Sequence, residues 1–214
     1  MKKNFVEEME KEVGRVKEYI PPIAILITAD AGAGKFELAR KLSRGLAIYL
    51  LSNDYVRNYY YQSLDNSDLN KNEEIQKKVA DVNNERLDFL ISHRISFVYD
   101  KNVYNMDSYE EIHKKLHNHS FKLFKIRIHS NDNYNIKAIR DRKMDYNRED
   151  ISVIGDRAFY VGSFSEEAYW QLKQRREITL DDDWFDYVIH HSDNEKFDQD
   201  VEKVVDSIKM LMEN

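Results

Sequence analysis

Ile23-Ala24-Ile25-Leu26-Ile27-Thr28, followed by Ala29-Asp30-Ala31-Gly32-Ala33-Gly34-Lys35-Phe36-Glu37, is the stretch whose reading decides the fold of this chain. It reads as a strand, a glycine turn and the start of a helix that runs from Lys35 to about Arg44, with Phe36, Ala39 and Leu42 on one face. Such a unit wraps a polyphosphate. Backbone N–H groups at the helix N-terminus face the anion, a lysine reaches the β/γ-phosphates, and a Ser/Thr hydroxyl after that lysine holds Mg²⁺. Gly32, Gly34 and Lys35 fill their places, but Ala29 replaces the first glycine, and Phe36 and Glu37 stand where hydroxyl residues belong. The phosphate cradle is expected from Asp30, Ala31, Gly32, Ala33, Gly34, Lys35 and Phe36.

Upstream of this unit, Phe5, Val6, Met9, Val13, Val16 and Ile20 recur at helical spacing. They predict an amphipathic helix over residues 1–20, stopped by Pro21-Pro22, that packs on the domain in preference to forming a dimer helix. Downstream, Ala47-Ile48-Tyr49-Leu50-Leu51 reads as a buried strand ending at Ser52-Asn53-Asp54, where a helix begins. A helical face over residues 72–92 leads to a strand Ile95-Ser96-Phe97-Val98-Tyr99 and then Asp100. Ser108 and Glu111 predict a capping box for a helix through His117. Strands are expected at 121–128 and 187–190, helices at 133–144, 165–176 and over the closing stretch with Val201, Val204, Val205, Ile208, Leu211 and Met212. Residues 144–165, with Gly155 and Gly162 and no clean periodicity, read as a loop or lid. Alternating strands and helices over 21–214 predict an α/β fold, a doubly wound, mostly parallel five-stranded sheet, with an extra N-terminal helix and a lid.

Composition agrees with one folded domain. The chain has 214 residues, 42% hydrophobic and 34% charged, with no cysteine and a formal net charge of -6. Disulfides and thiolate metal sites are excluded, and a reducing cytoplasm is the expected compartment. The net charge does not favour nucleic acid as a partner. Neither a signal peptide nor a membrane-spanning run is read from the sequence.

Ligands of such sheets bind at the carboxyl ends of the strands. The glycine turn, Asp54-Tyr55-Val56-Arg57 and Asp100-Lys101-Asn102 follow the first three strands. Asp54 and Arg57 are three residues apart, so one helical turn puts a carboxylate for an acceptor hydroxyl beside a guanidinium for phosphate or substrate oxygens. An ordinary intrahelical ion pair is the competing explanation.

With these residues the chain resembles the small P-loop kinases that include zeta toxins, polynucleotide 5'-kinases, chloramphenicol phosphotransferase and gluconate kinase. The resemblance rests on the partial glycine loop, Ser52-Asn53-Asp54-Tyr55-Val56-Arg57, Val98-Tyr99-Asp100, Arg140-Asp141-Arg142 and the closing Phe185-Asp186-Tyr187-Val188-Ile189. It implies an ATP-dependent phosphotransferase, with Lys35 on the donor phosphates, Asp54 facing the acceptor hydroxyl and Arg57 holding the acceptor. It further implies Arg140 and Arg142 over the transferred phosphate, and Arg148 and Arg157 as lid residues. Asp54, Arg57 and Asp100 would line the acceptor site. Asp54 and Asp100 would also meet Mg²⁺ carried by the nucleotide.

The departures leave a second reading open, a nucleotide-binding or regulatory module that has lost catalysis. Phe36 removes the usual Mg²⁺ ligand. Asp30 adds a carboxylate to the loop, and a unit charge about 4 Å from a phosphate charge costs roughly 4 kcal/mol at an effective dielectric near 20. Resemblance to zeta toxins also leaves an antitoxin partner open. Among the remaining features, His113, His117 and His119 read as a solvated helix end. His190-His191 read as a sheet terminus or a neighbour of the base, Tyr59-Tyr60-Tyr61 as packing or a stacking surface, and Asp181-Asp182-Asp183 as a solvated turn.

Overall fold

The structure, a computed structural model, describes residues 4–62, 72–141, 153–156, 166–175 and 177–213. Five parallel strands, β1 (Ile23–Ala29), β2 (Tyr49–Leu51), β3 (Phe97–Tyr99), β4 (Lys122–His129) and β5 (Tyr187–His190), form one sheet in the order β2-β3-β1-β4-β5. The chain lays β2 and β3 on one side of β1 and then crosses to add β4 and β5 on the other, which makes β1 the switch point where such sheets take their ligands.

All seven residues of β1 are buried, as a central strand covered on both faces requires. Successive side chains point to opposite faces. Ile23, Ile25, Ile27 and Ala29 join a core with α2 (Lys35–Leu46) and α8 (Asn194–Glu213), supplied by Leu38, Leu42, Val201 and Ile208. Ala24 and Leu26 face the other core, with Leu87, Leu90 and Ile91 of α4 (Asn72–Ser92) and Ile112 and Leu116 of α5 (Met106–Asn118). The remaining helices are α1 (Phe5–Val13), α3 (Asn53–Gln62), α6 (Asp132–Asp141) and α7 (Glu166–Arg175).

Three expectations need correction. The N-terminal helix does not run to residue 20: α1 stops at Val13 on Gly14, and Ile20 is exposed. Its apolar side packs on the domain, Phe5 meeting Tyr59 edge to face at 5.3 Å and Tyr55 at 6.1 Å. The cap of α5 is Asn105, not Ser108. Asn105 Oδ1 accepts the Ser108 amide at 3.0 Å, while Ser108 Oγ accepts the Asn105 amide at 3.3 Å, a capping box displaced by one turn toward the N-terminus.

The third correction concerns the expected lid at 144–165. Its described residues, 153–156, are sheet edge: the Leu50 amide donates to Ile154 at 2.8 Å and the Asp156 amide to Leu50 at 2.9 Å, and Val153, Ile154 and Asp156 are buried. Gly155 makes this contact at φ 101°, where an added Cβ would lie 2.5 Å from the Leu50 carbonyl oxygen. Arg142, Arg148 and Arg157 lie outside the described residues.

Candidate active site

The loop after β1 turns through residues 31–34, with Gly32 at φ 86° and Gly34 at φ 94°, and α2 starts at Lys35. Both glycines are held from behind. A Cβ on Gly32 would lie 2.5 Å from the Asn135 carbonyl oxygen, and one on Gly34 would lie 2.8 Å from His191 Nδ1. No side chain caps α2, and the N-terminus of a helix favours an anion. His191 Nδ1 donates to the Ala33 carbonyl at 2.8 Å, which leaves Nε2 to accept from the Tyr134 hydroxyl at 2.7 Å, and the ring stacks on Phe197 at 3.9 Å. At the loop's start, Asn102 accepts the Ala29 amide at 3.1 Å and donates to the Ala29 carbonyl at 2.8 Å.

Lys35 reaches the carboxyl end of β3. Its Nζ donates to the Asp100 carbonyl and lies 4.0 Å from the Asp100 carboxylate. Asp100 is buried. Its oxygens accept from Ser52 Oγ at 2.7 Å and from the Asn53 amide at 3.3 Å. Burial pushes the Asp100 carboxyl above the usual range, against the pull of Lys35, and the nearby Asp54 charge pushes the same way.

Asp54 stands in the first turn of α3, its amide donating to Ser52 Oγ at 3.2 Å, and its carboxylate accepts from Arg57 Nη1. The three-residue spacing therefore does put the two groups on one face, as an intrahelical ion pair at the mouth of the site. Lys35, Asp100, Ser52 and Asp54 form one connected group at the strands' carboxyl ends. Arg140 is not joined to it: near the end of α6, 65% exposed, it pairs with Glu166 at 2.6 Å.

A family model described as zeta toxin matches residues 7–184. The chain belongs to the zeta toxin family. No curated protein matches the sequence. Among solved structures, a candidate kinase from Chloroflexus aurantiacus J-10-fl is 17% identical with a TM-score of 0.64, over 89% of this chain and 98% of that one. The PezAT toxin-antitoxin system of Streptococcus pneumoniae matches at 16% identity and a TM-score of 0.57, over 65% of this chain and 61% of that one. A gluconokinase from Sinorhizobium meliloti 1021 matches at 8% identity and a TM-score of 0.54, over 89% and 98%. At these identities the likeness speaks to the fold, which is that of P-loop kinases.

This zeta toxin family member fits a polyphosphate better than a metal. The turn, the uncapped helix start and Lys35 suit phosphate oxygens. A protein-ligated Mg²⁺ fits less well, because Phe36 is packed in the core in place of a hydroxyl and the Asp54 and Asp100 carboxylates already accept hydrogen bonds from Arg57, Ser52 and Asn53. Among the described residues no group of three or more His, Cys, Asp or Glu is arranged for a metal, and no helix is long and apolar enough to cross a membrane.

Four residues at this rim carried little sequence signal. Asp30 is compensated by Lys173 of α7, whose Nζ lies 3.9 Å from its carboxylate. His191 was visible only as one of a histidine pair, and its grip on Ala33 is a tertiary contact. Arg86 and Asp156, 1% and 2% exposed, pair beneath α3, one from the middle of α4 and the other from the irregular stretch. Tyr59 and Tyr60 take the packing option, 5.5 Å apart beside Phe5. Asp182 is not merely solvated: it holds His129 at 2.7 Å and lies 3.4 Å from Arg127.

Proposed function

We propose that this protein is an ATP-dependent phosphotransferase that moves the γ-phosphate to a hydroxyl of a small molecule or nucleotide. The observation that carries this reading is the convergence of Lys35, at the start of an uncapped helix, with the Asp100–Ser52–Asp54 group on one rim of the sheet. The N–H groups of the loop and Lys35 hold the donor phosphates, exchanging the Asp100 carbonyl for a phosphate oxygen. Asp54 orients the acceptor hydroxyl and takes its proton. The bond from the γ-phosphorus to the β,γ-bridging oxygen breaks, ADP departs with the electron pair, and the new bond forms to the acceptor oxygen. Arg57 faces the charge that develops on the transferred group. Mg²⁺ enters with the nucleotide rather than on a ligand of the chain.

The test offers ATP and Mg²⁺ with a panel of sugars, nucleosides, nucleotides and nucleic-acid ends. Phosphorylated product is expected from the intact protein and none from Lys35→Ala or Asp54→Asn. Absence of product with every acceptor, or equal product from Lys35→Ala, overturns it.

Phe36 in the core favours a second reading, a nucleotide-binding module without turnover. ATP binding that depends on Lys35 with no transfer to any acceptor would establish that reading instead. Growth arrest on expression, abolished by Lys35→Ala, would extend the first reading to a toxin and make an antitoxin its partner.

A further inference from the structure

We propose that the buried Arg86–Asp156 pair is the positioning device of the acceptor side, fixing Ser52 and through it Asp54; the role of Asp54 itself rests on the phosphotransferase reading. Burying two charges removes their hydration, and an apolar pair of similar size serves stability as well or better. Stability alone therefore gives no reason for an ion pair at this place. Its hydrogen bonds do.

Asp156 is delivered to the outer edge of β2 by the Leu50–Gly155 bridge. One carboxylate oxygen accepts from Arg86 Nη2, and the other accepts the Ser52 amide at 2.6 Å. Arg86 is held in turn by Asn83 Oδ1 at 3.1 Å and lies under the rings of Tyr55 and Phe5, at 5.6 and 5.9 Å from their centroids. Ser52 is thus tied at both its polar ends. Its amide goes to Asp156, its hydroxyl donates to Asp100, and the same oxygen accepts the Asp54 amide as the cap of α3. With Ser52 fixed on two carboxylates, the backbone of Asp54 has one direction of approach to the cleft. Removing Asp156 leaves the Ser52 amide without this acceptor, and the first turn of α3 is then held by Asp100, through the Ser52 hydroxyl and the Asn53 amide, and by the Tyr99 hydroxyl on Asn53.

Two double variants of the full chain separate positioning from packing. Arg86→Met with Asp156→Asn removes both charges but keeps an oxygen to accept the Ser52 amide. Arg86→Met with Asp156→Leu keeps the burial and removes that acceptor. Three quantities are read: residue-resolved amide hydrogen exchange, ATP affinity, and kcat and KM for an acceptor found in the panel. The leucine variant is expected to exchange the Ser52 and Asp54 amides about tenfold faster and to lose about tenfold in kcat, the scale of one lost hydrogen bond, with ATP affinity unchanged. The asparagine variant, which keeps an acceptor for the Ser52 amide but loses the arginine that orients it, is expected to recover part of both. Unchanged exchange at Ser52 and Asp54, acceleration spread over the whole sheet, or no advantage of asparagine over leucine overturns the proposal. If the unaltered protein transfers no phosphate to any acceptor, the phosphotransferase reading falls, while the exchange measurement still decides whether the pair positions Ser52 and Asp54.

Discussion

Lys173 Nζ lies 3.9 Å from the carboxylate of Asp30 and is hydrogen-bonded to that of Asp132, so one ammonium from α7 spans the mouth of the phosphate loop. The carboxylate that the sequence places inside the loop therefore meets a countercharge from more than a hundred residues away. Lys173→Ala is expected to weaken ATP binding by about threefold to fivefold, the equivalent of up to about 1 kcal/mol for a partly exposed pair. Adding Asp30→Ala should restore most of the loss. Calorimetric titration of the two single variants and the double variant checks this, and a double variant as weak as Lys173→Ala alone contradicts it.

Gly32 can carry no side chain. At φ 86° an L residue is strained by about 1–2 kcal/mol, and its Cβ would sit 2.5 Å from the Asn135 carbonyl oxygen, a backbone atom of a helix that cannot easily yield. Gly32→Ala is expected to unfold at lower urea concentration and to lose ATP binding. Gly14, with nothing within 4 Å of its added Cβ, is the control, and Gly14→Ala should leave ATP binding untouched.

Restoring the missing hydroxyl should fail. Phe36 is packed in the core with Leu38, Ala39 and Phe197, so Phe36→Ser empties a large volume and buries a polar group. A loss of about 3 kcal/mol or more in chemical denaturation is expected, with no gain in Mg²⁺ dependence. Unchanged stability would mean that the side chain is not in the core.

Asp156 makes stability depend on pH. Burial pushes its carboxyl up to about 6, against the pull of Arg86 and the Ser52 amide, whereas an aspartate in the unfolded chain titrates near about 3.9. The folded protein binds this proton more tightly, so the stabilisation it brings is full below about pH 3.9 and is lost as pH rises through about 6. Asp100, pushed up by burial, acts in the same direction. Asp132, where burial is outweighed by the hydrogen bonds from Lys173 and Tyr169, and Asp182, held down by His129, act in the opposite one. Comparing urea unfolding of the protein with that of Asp156→Asn cancels Asp132 and Asp182, while Asp100, whose charge helps to raise Asp156, adds to the difference in the same direction. The stability of the unaltered protein relative to the variant should fall between about pH 4 and pH 6 and level off above about pH 7. A relative stability that rises across that window contradicts the assignment.

The fold and the placement of Lys35, Asp54 and Asp100 in the candidate site were legible because they rest on local rules. Apolar runs of strand length, separated by helical periodicity, name a parallel sheet, and its carboxyl ends then carry whatever follows each run. Lys35, Asp54 and Asp100 each follow such a run and so fall on the same rim. The end of α1 was misread because apolar spacing continues past Gly14 through Val16 to Ile20 without the backbone remaining helical. Arg86 was invisible inside α4, where a charged residue ordinarily faces solvent.

The order of residues alone determined the sheet, the turn between Thr28 and Phe36, and the position of each functional group along its strand or helix, since these follow from periodicity, turn chemistry and the reach of one helical turn. Only tertiary structure decided what neutralises Asp30, what grips Ala33 from behind, and which carboxylate anchors Ser52. Lys173, His191 and Asp156 are distant in sequence from the groups they hold, and no local pattern encodes a hydrogen bond or ion pair made across the packed sheet.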